Sequence, residues 1–227
     1  MKQLKIGLVG IGKLGTAMMT HWEKNNIKMG AYHPKMSKAQ HFADEFSNSY
    51  CLSESELRRS DVLILALPAT GVIPFISSLY SQTNPASAPL LINMATALDT
   101  KEIKAKFPIL NVFGVKYMGH SRDLMEHGNG LFITDSPLPE QIAELYQCLG
   151  ALKIDSEQAL MDVNKLATYL AIKAAIEIEE EFTKRGFSSQ YIKRALTSLA
   201  PEVIRGYSEG SLGHFAKEIV KEIKGEE

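Results

Sequence analysis

Short apolar runs alternate with amphipathic stretches along the first two thirds of the chain. The clearest runs cover residues 4–10, 61–67 and 90–94, and they are apolar almost throughout, as strands buried on both faces of a parallel sheet are. The stretches between them have helical spacing, and this alternation predicts a parallel sheet covered by helices. The sequence therefore predicts an α/β fold with a doubly wound, mainly parallel sheet.

Polar residues between these runs predict where several helices begin. Ser37 is expected to cap a helix that ends near Phe46. Ser53 and Glu56 fit a capping box, and Asp99 is expected to cap a later helix. Residues 114–130 contain several glycines and are expected to form a loop between strands near 109–113 and 131–134.

The chain changes character after residue 155, where strand signals stop and helical spacing continues. We therefore expect two domains, an α/β domain over residues 1–155 and a small all-helical domain over residues 156–227. The stretch Leu166–Ile178 is apolar on more than one face, which is typical of a buried helix. A domain of about 70 residues is small for burying it alone. We expect a homodimer with interleaved C-terminal helices; packing on the first domain of the same chain is the alternative.

Composition excludes several classes of protein. Hydrophobic residues make up 45% of the 227 residues and charged residues 22%, which predicts an ordinary globular core. The net charge of -1 lacks the basic excess of a nucleic-acid binder. No apolar run approaches the roughly 20 residues of a membrane span. Two cysteines do not make a disulfide framework, so we expect a cytoplasmic protein.

A glycine motif follows the first apolar run and precedes a helical pattern. Gly10 permits a tight turn, Gly12 lets a pyrophosphate approach the backbone, and Gly15 allows close packing of helix on strand. The free N–H groups at the helix start favour phosphate. A glycine-rich turn without a ligand is the alternative. The motif predicts a Rossmann-type dinucleotide site formed by Gly10, Ile11, Gly12, Lys13, Leu14 and Gly15.

The end of the second strand indicates which cofactor binds. A carboxylate normally lies there and holds the ribose 2′-hydroxyl of NAD, whereas this chain has none. Basic and hydroxyl side chains can instead bind the 2′-phosphate of NADP. A solvated loop is the alternative for the lysines. We expect NADP rather than NAD, held at this point by Tyr32, His33, Lys35, Ser37 and Lys38.

The segments Lys5–Gly15 and Asp61–Pro68 resemble the pyrroline-5-carboxylate reductase family. They are also similar to the NADP domain of coenzyme-F420-dependent NADP oxidoreductases, and both families belong to the 6-phosphogluconate-dehydrogenase-like superfamily. The resemblance covers about residues 1–155 and continues weakly into the helices. It implies that the segments after two strands lie near the cofactor, namely Leu67, Pro68 and Ala69, and Asn93, Met94 and Ala95.

Two substrate motifs of the reductases are absent. Residues 116–120 read Lys-Tyr-Met-Gly-His where those enzymes have Met-Pro-Asn, and residues 164–170 lack their glycines. The stretch 116–132 also resembles, loosely, a histidine-containing loop of prephenate dehydrogenases. The resemblance therefore implies an oxidoreductase domain and leaves the substrate open.

Six side chains are candidates for substrate chemistry. Two of them, His120 and His127, lie in the expected loop over residues 114–130. His120 suits proton exchange near neutral pH, and a polar loop histidine is the alternative. Lys116 can bind a substrate carboxylate. Lys165 and Lys173 resemble the helix lysine of hydroxyacid dehydrogenases in this superfamily, and Thr168 offers a hydroxyl. The histidines show no metal-ligand spacing, so we expect no metal.

Two functional hypotheses follow. The first is an NADP-dependent oxidoreductase that transfers a hydride between NADP(H) and a small imine or carbonyl substrate, with the cofactor doing the hydride chemistry. The second is a non-catalytic or regulatory relative that binds NADP(H) and acts through assembly. An F420-linked or prephenate-dehydrogenase-like reductase is a further alternative.

Overall fold

Six parallel strands form the main sheet of the computed structural model, which describes residues 4–80 and 88–225. The strands are β1 (Ile6–Val9), β2 (Met29–Tyr32), β3 (Ser49–Cys51), β4 (Val62–Leu65), β5 (Leu90–Asn93) and β6 (Val112–Gly114). Their order is β3-β2-β1-β4-β5-β6, and every neighbouring pair is parallel. The expected Rossmann-type α/β fold is confirmed, and its order reverses between β1 and β4, where such sheets open a ligand crevice.

Helices follow the strands and cover both faces of the sheet. Along β4, Val62 and Ile64 join one buried cluster while Leu63 and Leu65 join the other. Side chains alternate between faces along a strand, so this all-apolar strand needs cover on both sides. The helices of this part are α1 (Lys13–Lys24), α2 (Met36–Asp44), α3 (Glu54–Leu57), α4 (Ala69–Tyr80) and α5 (Thr100–Lys106).

A second, three-stranded sheet follows the main one. It contains β7 (Lys116–Met118), β8 (Gly130–Thr134) and β9 (Gly150–Ile154), with β7 antiparallel and β9 parallel to β8. Helix α6 (Ser121–His127) connects β7 to β8, and α7 (Glu140–Gln147) connects β8 to β9. The expectation of a loop over residues 114–130 was therefore wrong.

The expected helix starts hold in two cases of three. Ser53 and Glu56 form the capping box of α3, and the Asp99 carboxylate accepts the backbone N–H of Lys101 at 2.8 Å. Ser37 is not a cap, because α2 begins at Met36 and Lys35 occupies the N-cap position. The Ser37 hydroxyl is consequently free of a capping role.

Helices make up the described chain beyond β9. They are α8 (Glu157–Lys184), α9 (Ser189–Arg194), a π-helical turn (Ala195–Leu199), α10 (Ala200–Glu209) and α11 (His214–Lys224). The chain divides into two compact units between Asn164 and Lys165, inside α8. The change from strands to helices lies where we expected it, whereas the units separate nine residues further on.

The second unit exposes many apolar side chains. Leu166 is 59% exposed, Tyr169 65% and Ile172 55%, in the stretch of α8 that its composition indicated to be buried. The second unit by itself therefore does not bury this stretch of helix. No helix within residues 4–80 and 88–225 is long and apolar enough to cross a membrane. Both cysteines, Cys51 and Cys148, are free thiols.

Candidate cofactor and active site

The glycine loop joins β1 to α1, and its glycines meet different constraints. Gly10 has φ +112°, and a Cβ there would collide with the Ala66 carbonyl. A Cβ on Gly15 would collide with the carbonyl of Gly10. At Gly12 a Cβ would meet no atom within 4 Å. Packing thus requires Gly10 and Gly15, whereas the space beside Gly12 is open to a ligand.

The start of α1 has no side-chain cap. Gly12 occupies the N-cap position, and the first turn holds no acidic residue. The first amide groups of a helix have no partner within the helix, and the helix dipole adds partial positive charge there. The amides of Lys13 and Leu14 therefore form an anion-binding end beside the open space at Gly12.

A groove of about 770 Å³ extends from this loop to α2. Eight of the residues expected to bind the cofactor line it: Gly10, Ile11, Gly12, His33, Ser37, Lys38, Leu67 and Pro68. Sequence reasoning missed five further lining residues, Thr16, His41, Phe42, Glu45 and Ala66. Helical spacing carried a signal for two of them, since positions 41 and 42 follow Ser37 and Lys38 by one turn.

The rim of the groove near α2 is mostly basic. His33 accepts the backbone N–H of Lys35 through Nδ1 at 2.9 Å, which leaves Nε2 to donate to a ligand. Glu45, the acidic residue in the lining, lies 3.3 Å from the His41 imidazole. Ser37 and Lys38 have no side-chain hydrogen bond or ion pair within the described residues. These groups can bind a phosphate together.

The remaining expected cofactor residues lie outside the groove lining. Gly15 is buried under the loop, and Lys35 is exposed at the N-cap of α2. Tyr32 is half-buried against Phe75, with ring centroids 6.0 Å apart. Ala69 begins α4. Burial raises the pKa of Tyr32, so its phenol stays neutral.

The segment after β5 forms a closed polar cluster. The Asn93 amide donates to the Leu98 carbonyl and to the Thr100 hydroxyl, each at 3.0 Å, and its oxygen accepts the Ala95 N–H at 3.1 Å. Met94 and Ala95 are buried. Within the described chain, the side-chain atoms of Asn93 are therefore occupied by the protein itself.

Lys116 is fully buried on β7. Its ammonium donates to the carbonyls of Ala95 at 2.6 Å and Leu98 at 2.9 Å, and lies 3.6 Å from the Glu157 carboxylate. Burial lowers the pKa of Lys116 to about 8, although Glu157 opposes that shift. These two carbonyl acceptors and the nearby carboxylate leave the amine turned inward, away from solvent.

The other candidates for substrate chemistry are exposed. His120 is the N-cap of α6, and its Nδ1 accepts the Arg122 N–H at 3.2 Å. His127 ends the same helix, 3.8 Å from Asp123. Lys165, Thr168 and Lys173 lie on α8 in the second unit, where Lys173 pairs with Glu177 at 3.7 Å.

No set of three His, Cys, Asp or Glu side chains in residues 4–80 and 88–225 is arranged to hold a metal ion. The described first unit therefore offers a glycine loop and a mostly basic groove, with His120 exposed at the start of α6.

Comparison with protein families supports the resemblance drawn from the motifs. Residues 5–96 match the model of the family described as NADP oxidoreductase, coenzyme F420-dependent. This segment runs from β1 through β5 and includes the glycine loop and the basic rim. The similarity to this NADP-oxidoreductase family therefore lies in this segment of the chain. No curated protein matches the chain in sequence.

Solved structures share the fold at low identity. An imine reductase from Aspergillus terreus in complex with NADPH4 and dibenz[c,e]azepine has a TM-score of 0.65 and 14% identity, covering 91% of this chain and 78% of that one. A reductive aminase from the same organism, with NADPH4, cyclohexanone and allyl amine, has a TM-score of 0.64 and 15% identity over 92% and 78%. An imine reductase variant from Myxococcus stipitatus in complex with NAD+ has a TM-score of 0.61 and 10% identity, covering 92% of this chain and 78% of that one.

Proposed function

We propose that this chain is an NADP-dependent oxidoreductase that transfers a hydride between NADP(H) and a small imine or carbonyl compound. The continuous groove from the glycine loop to the basic rim of α2 carries this proposal. The family match over residues 5–96 and the nicotinamide cofactors of the similar structures support it.

The groove favours NADP over NAD through its charges. The pyrophosphate would lie beside Gly12 and the start of α1, where the backbone leaves space and unpaired amides. The 2′-phosphate would meet Lys38, the Ser37 hydroxyl and His33 Nε2. Glu45 has His41 as its own partner at 3.3 Å, which reduces its repulsion of a phosphate when the imidazole is protonated.

The bound cofactor supplies the hydride, and the protein must supply a proton and hold the substrate. We propose His120 as the proton-exchanging group. Its Nδ1 is turned to the backbone of α6, so Nε2 is the nitrogen that can exchange a proton with a substrate. We propose Lys165 and Thr168, both exposed on α8, as further substrate-binding side chains.

Turnover tests this proposal directly. The purified chain is mixed with NADPH and a panel of cyclic imines, or ketones with amines, and the loss of reduced nicotinamide is followed. We expect turnover, and we expect His120→Gln to lower kcat about 10²–10⁴-fold, as loss of a general acid does. His214→Gln, an exposed histidine on α11, is the matched control. Tight NADPH binding without any turnover would instead support the second hypothesis, a non-catalytic or regulatory protein that binds NADP(H).

We also propose that two chains pair through their C-terminal helices. Helix α8 exposes a large apolar surface, which is rare on monomers. In a two-fold dimer the same surface of each chain contacts its copy. Ile172→Glu should convert a dimer to a monomer in sedimentation velocity, while Lys173→Glu, at the neighbouring position, should not. A wild-type monomer at micromolar concentration would contradict the pairing. The side chains concerned on α8 are Leu166, Tyr169, Leu170, Ile172 and Ile176.

A further inference from the structure

The segment between β5 and α5 lies next to the cofactor groove. The backbone N–H of Met94 bonds the Leu65 carbonyl at 3.2 Å, at the end of β4. The chain after β4 continues directly into Ala66, Leu67 and Pro68, which line the groove. Carboxyl ends of neighbouring parallel strands lie on one edge of the sheet, so residues 94–98 extend that edge beyond the groove.

Lys116 binds the segment between β5 and α5 through its ammonium group. It reaches from β7, a strand of the second sheet, and its ammonium bonds two carbonyls of the same turn, those of Ala95 and Leu98. Asn93 bonds the same Leu98 carbonyl, so two side chains fix one backbone oxygen. Burying a lysine ammonium costs free energy unless its charge is paired and hydrogen-bonded, and here the hydrogen bonds go to this turn. The turn is therefore the part of the fold that this amine serves.

Glu157 completes the arrangement from the first turn of α8. One carboxylate oxygen accepts the Thr100 N–H at 3.0 Å and lies 3.6 Å from the lysine nitrogen. The other oxygen is buried without a hydrogen-bond partner in the described residues. A Cβ on Gly114 would collide with this carboxylate, so the end of β6 is shaped to admit it.

We propose that Lys116 is a positioning residue, which with Glu157 holds residues 95–98 in the shape that the nicotinamide half of the cofactor meets. The adenosine half is bound by the separate groove at α2. This inference rests on the proposed function for its ligand, whereas the ordering of the turn is a property of the free protein.

Protonation of Lys116 gives the arrangement a pH dependence. Three carboxylates act on its ammonium: Glu157 from α8, Asp99 before α5 and Asp135 after β8. Burial lowers the pKa of Lys116 to about 8, so the ammonium loses its proton in the folded chain before it does in the unfolded chain. Between that pH and the ordinary lysine range the unfolded chain binds more protons, so this group makes folding more favourable as pH rises.

Binding and stability should therefore respond to pH in opposite ways. Above pH 8 the turn loses its charged donor, and NADPH affinity should fall, while the Lys116 contribution to folding does not fall. If Lys116 contributed to stability alone, NADPH affinity would not fall above pH 8. Adenosine 2′,5′-bisphosphate, the adenosine half of NADP, is the probe that leaves the turn unoccupied.

The experiment measures three quantities from pH 7 to pH 9.5. These are the Kd of NADPH, the Kd of adenosine 2′,5′-bisphosphate, and hydrogen exchange of the amides of residues 94–98 in the free protein. We expect Lys116→Met to weaken NADPH binding about 5–50-fold, which lies within the range of ordinary coupling between sites. It should change the bisphosphate Kd less than about twofold and speed exchange at residues 94–98.

Two further variants control the result. Lys116→Arg stays charged throughout this range, so its NADPH affinity should not fall above pH 8. Lys153→Met removes an exposed lysine of β9, whose partner among the described residues is Asp155, and should match the wild type in all three quantities. The wild-type pH series needs no variant to fold.

Other outcomes separate the two proposals. Equal weakening of both ligands by Lys116→Met, or unchanged exchange at residues 94–98, would overturn the positioning role. Failure of the wild type to bind either ligand would overturn the proposed function, and faster exchange in Lys116→Met would then still support the ordering of the turn by Lys116.

Discussion

The two sides of the candidate site differ in how the protein uses its polar groups. On the α2 side, Ser37 and Lys38 make no side-chain bond within the described chain, and His33 keeps one ring nitrogen available. On the β5 side, Asn93 and Lys116 bond carbonyls of their own unit. Both sides are rich in hydrogen-bonding side chains, but only the first has them free for a ligand.

This contrast separates recognition from positioning. Free cations and amides beside open space can bind an anion, whereas a buried lysine surrounded by carbonyls fixes the backbone that holds it. Substitutions on the β5 side should therefore change stability first, and substitutions on the α2 side should change affinity alone.

The largest effect is expected at Glu157. Glu157→Ala leaves the Lys116 ammonium buried without its partner, and breaking a buried pair in this way costs about 3–5 kcal/mol. Denaturant unfolding at pH 7 should show a loss of this size. Glu126→Ala, an exposed residue of α6, is the control and should change the free energy of unfolding by less than about 0.5 kcal/mol.

The same variant carries a pH signature. The neutral amine has less need of a carboxylate, so the destabilisation by Glu157→Ala should shrink as pH rises from 7 to 9.5, through the lowered pKa of Lys116 near 8. A destabilisation that is constant over this range would show that the ion pair is not its source.

A smaller effect, on affinity only, is expected at Lys38. A hydrogen bond to a charged group contributes about 1.5–3 kcal/mol, and exposure places Lys38 at the lower end, so Lys38→Ala should weaken NADPH about tenfold. NADH binding and the unfolding midpoint should stay as in the wild type. Lys24→Ala, at the far end of α1, provides the matched lysine control. Equal loss of NADPH and NADH affinity would remove the phosphate role.

The glycine loop offers an internal comparison between two substitutions to alanine. Gly10→Ala should cost at least about 1–3 kcal/mol, because its φ of +112° strains any L-residue and the Ala66 carbonyl blocks a Cβ. Gly12→Ala should cost less than about 1 kcal/mol, since nothing lies within 4 Å of its Cβ, yet it should reduce NADPH affinity. Thermal unfolding and NADPH titration of both variants check this.

Sequence patterns predicted the main sheet well. An all-apolar strand such as β4 must be buried on both faces, which indicates a parallel sheet between two layers of helices. The capping box at Ser53 and the cap at Asp99 were also readable, because each depends on residues within one turn. The groove residues at α2 could be expected from the missing carboxylate at the end of β2.

Other features depend on contacts distant in sequence. The short strand β7 was missed because it is three residues long and contains a lysine, and the buried environment of Lys116 comes from residues 95, 98 and 157. Helix α6 was missed because Gly119 and Gly128, which flank it with φ of +153° and +64°, look like loop residues in sequence. The exposure of the apolar stretch of α8 could not be expected from its composition, because an all-apolar helix is typical of a buried one.

We propose above all that the α2 groove binds the 2′-phosphate of NADP. The most direct test titrates the protein with NADPH and NADH and follows energy transfer from Trp22, the single tryptophan, to the reduced nicotinamide. We expect NADPH to bind at least about tenfold more tightly than NADH, and we expect Lys38→Ala to remove most of this difference. Equal affinities, tighter NADH binding, or no binding of either would contradict it.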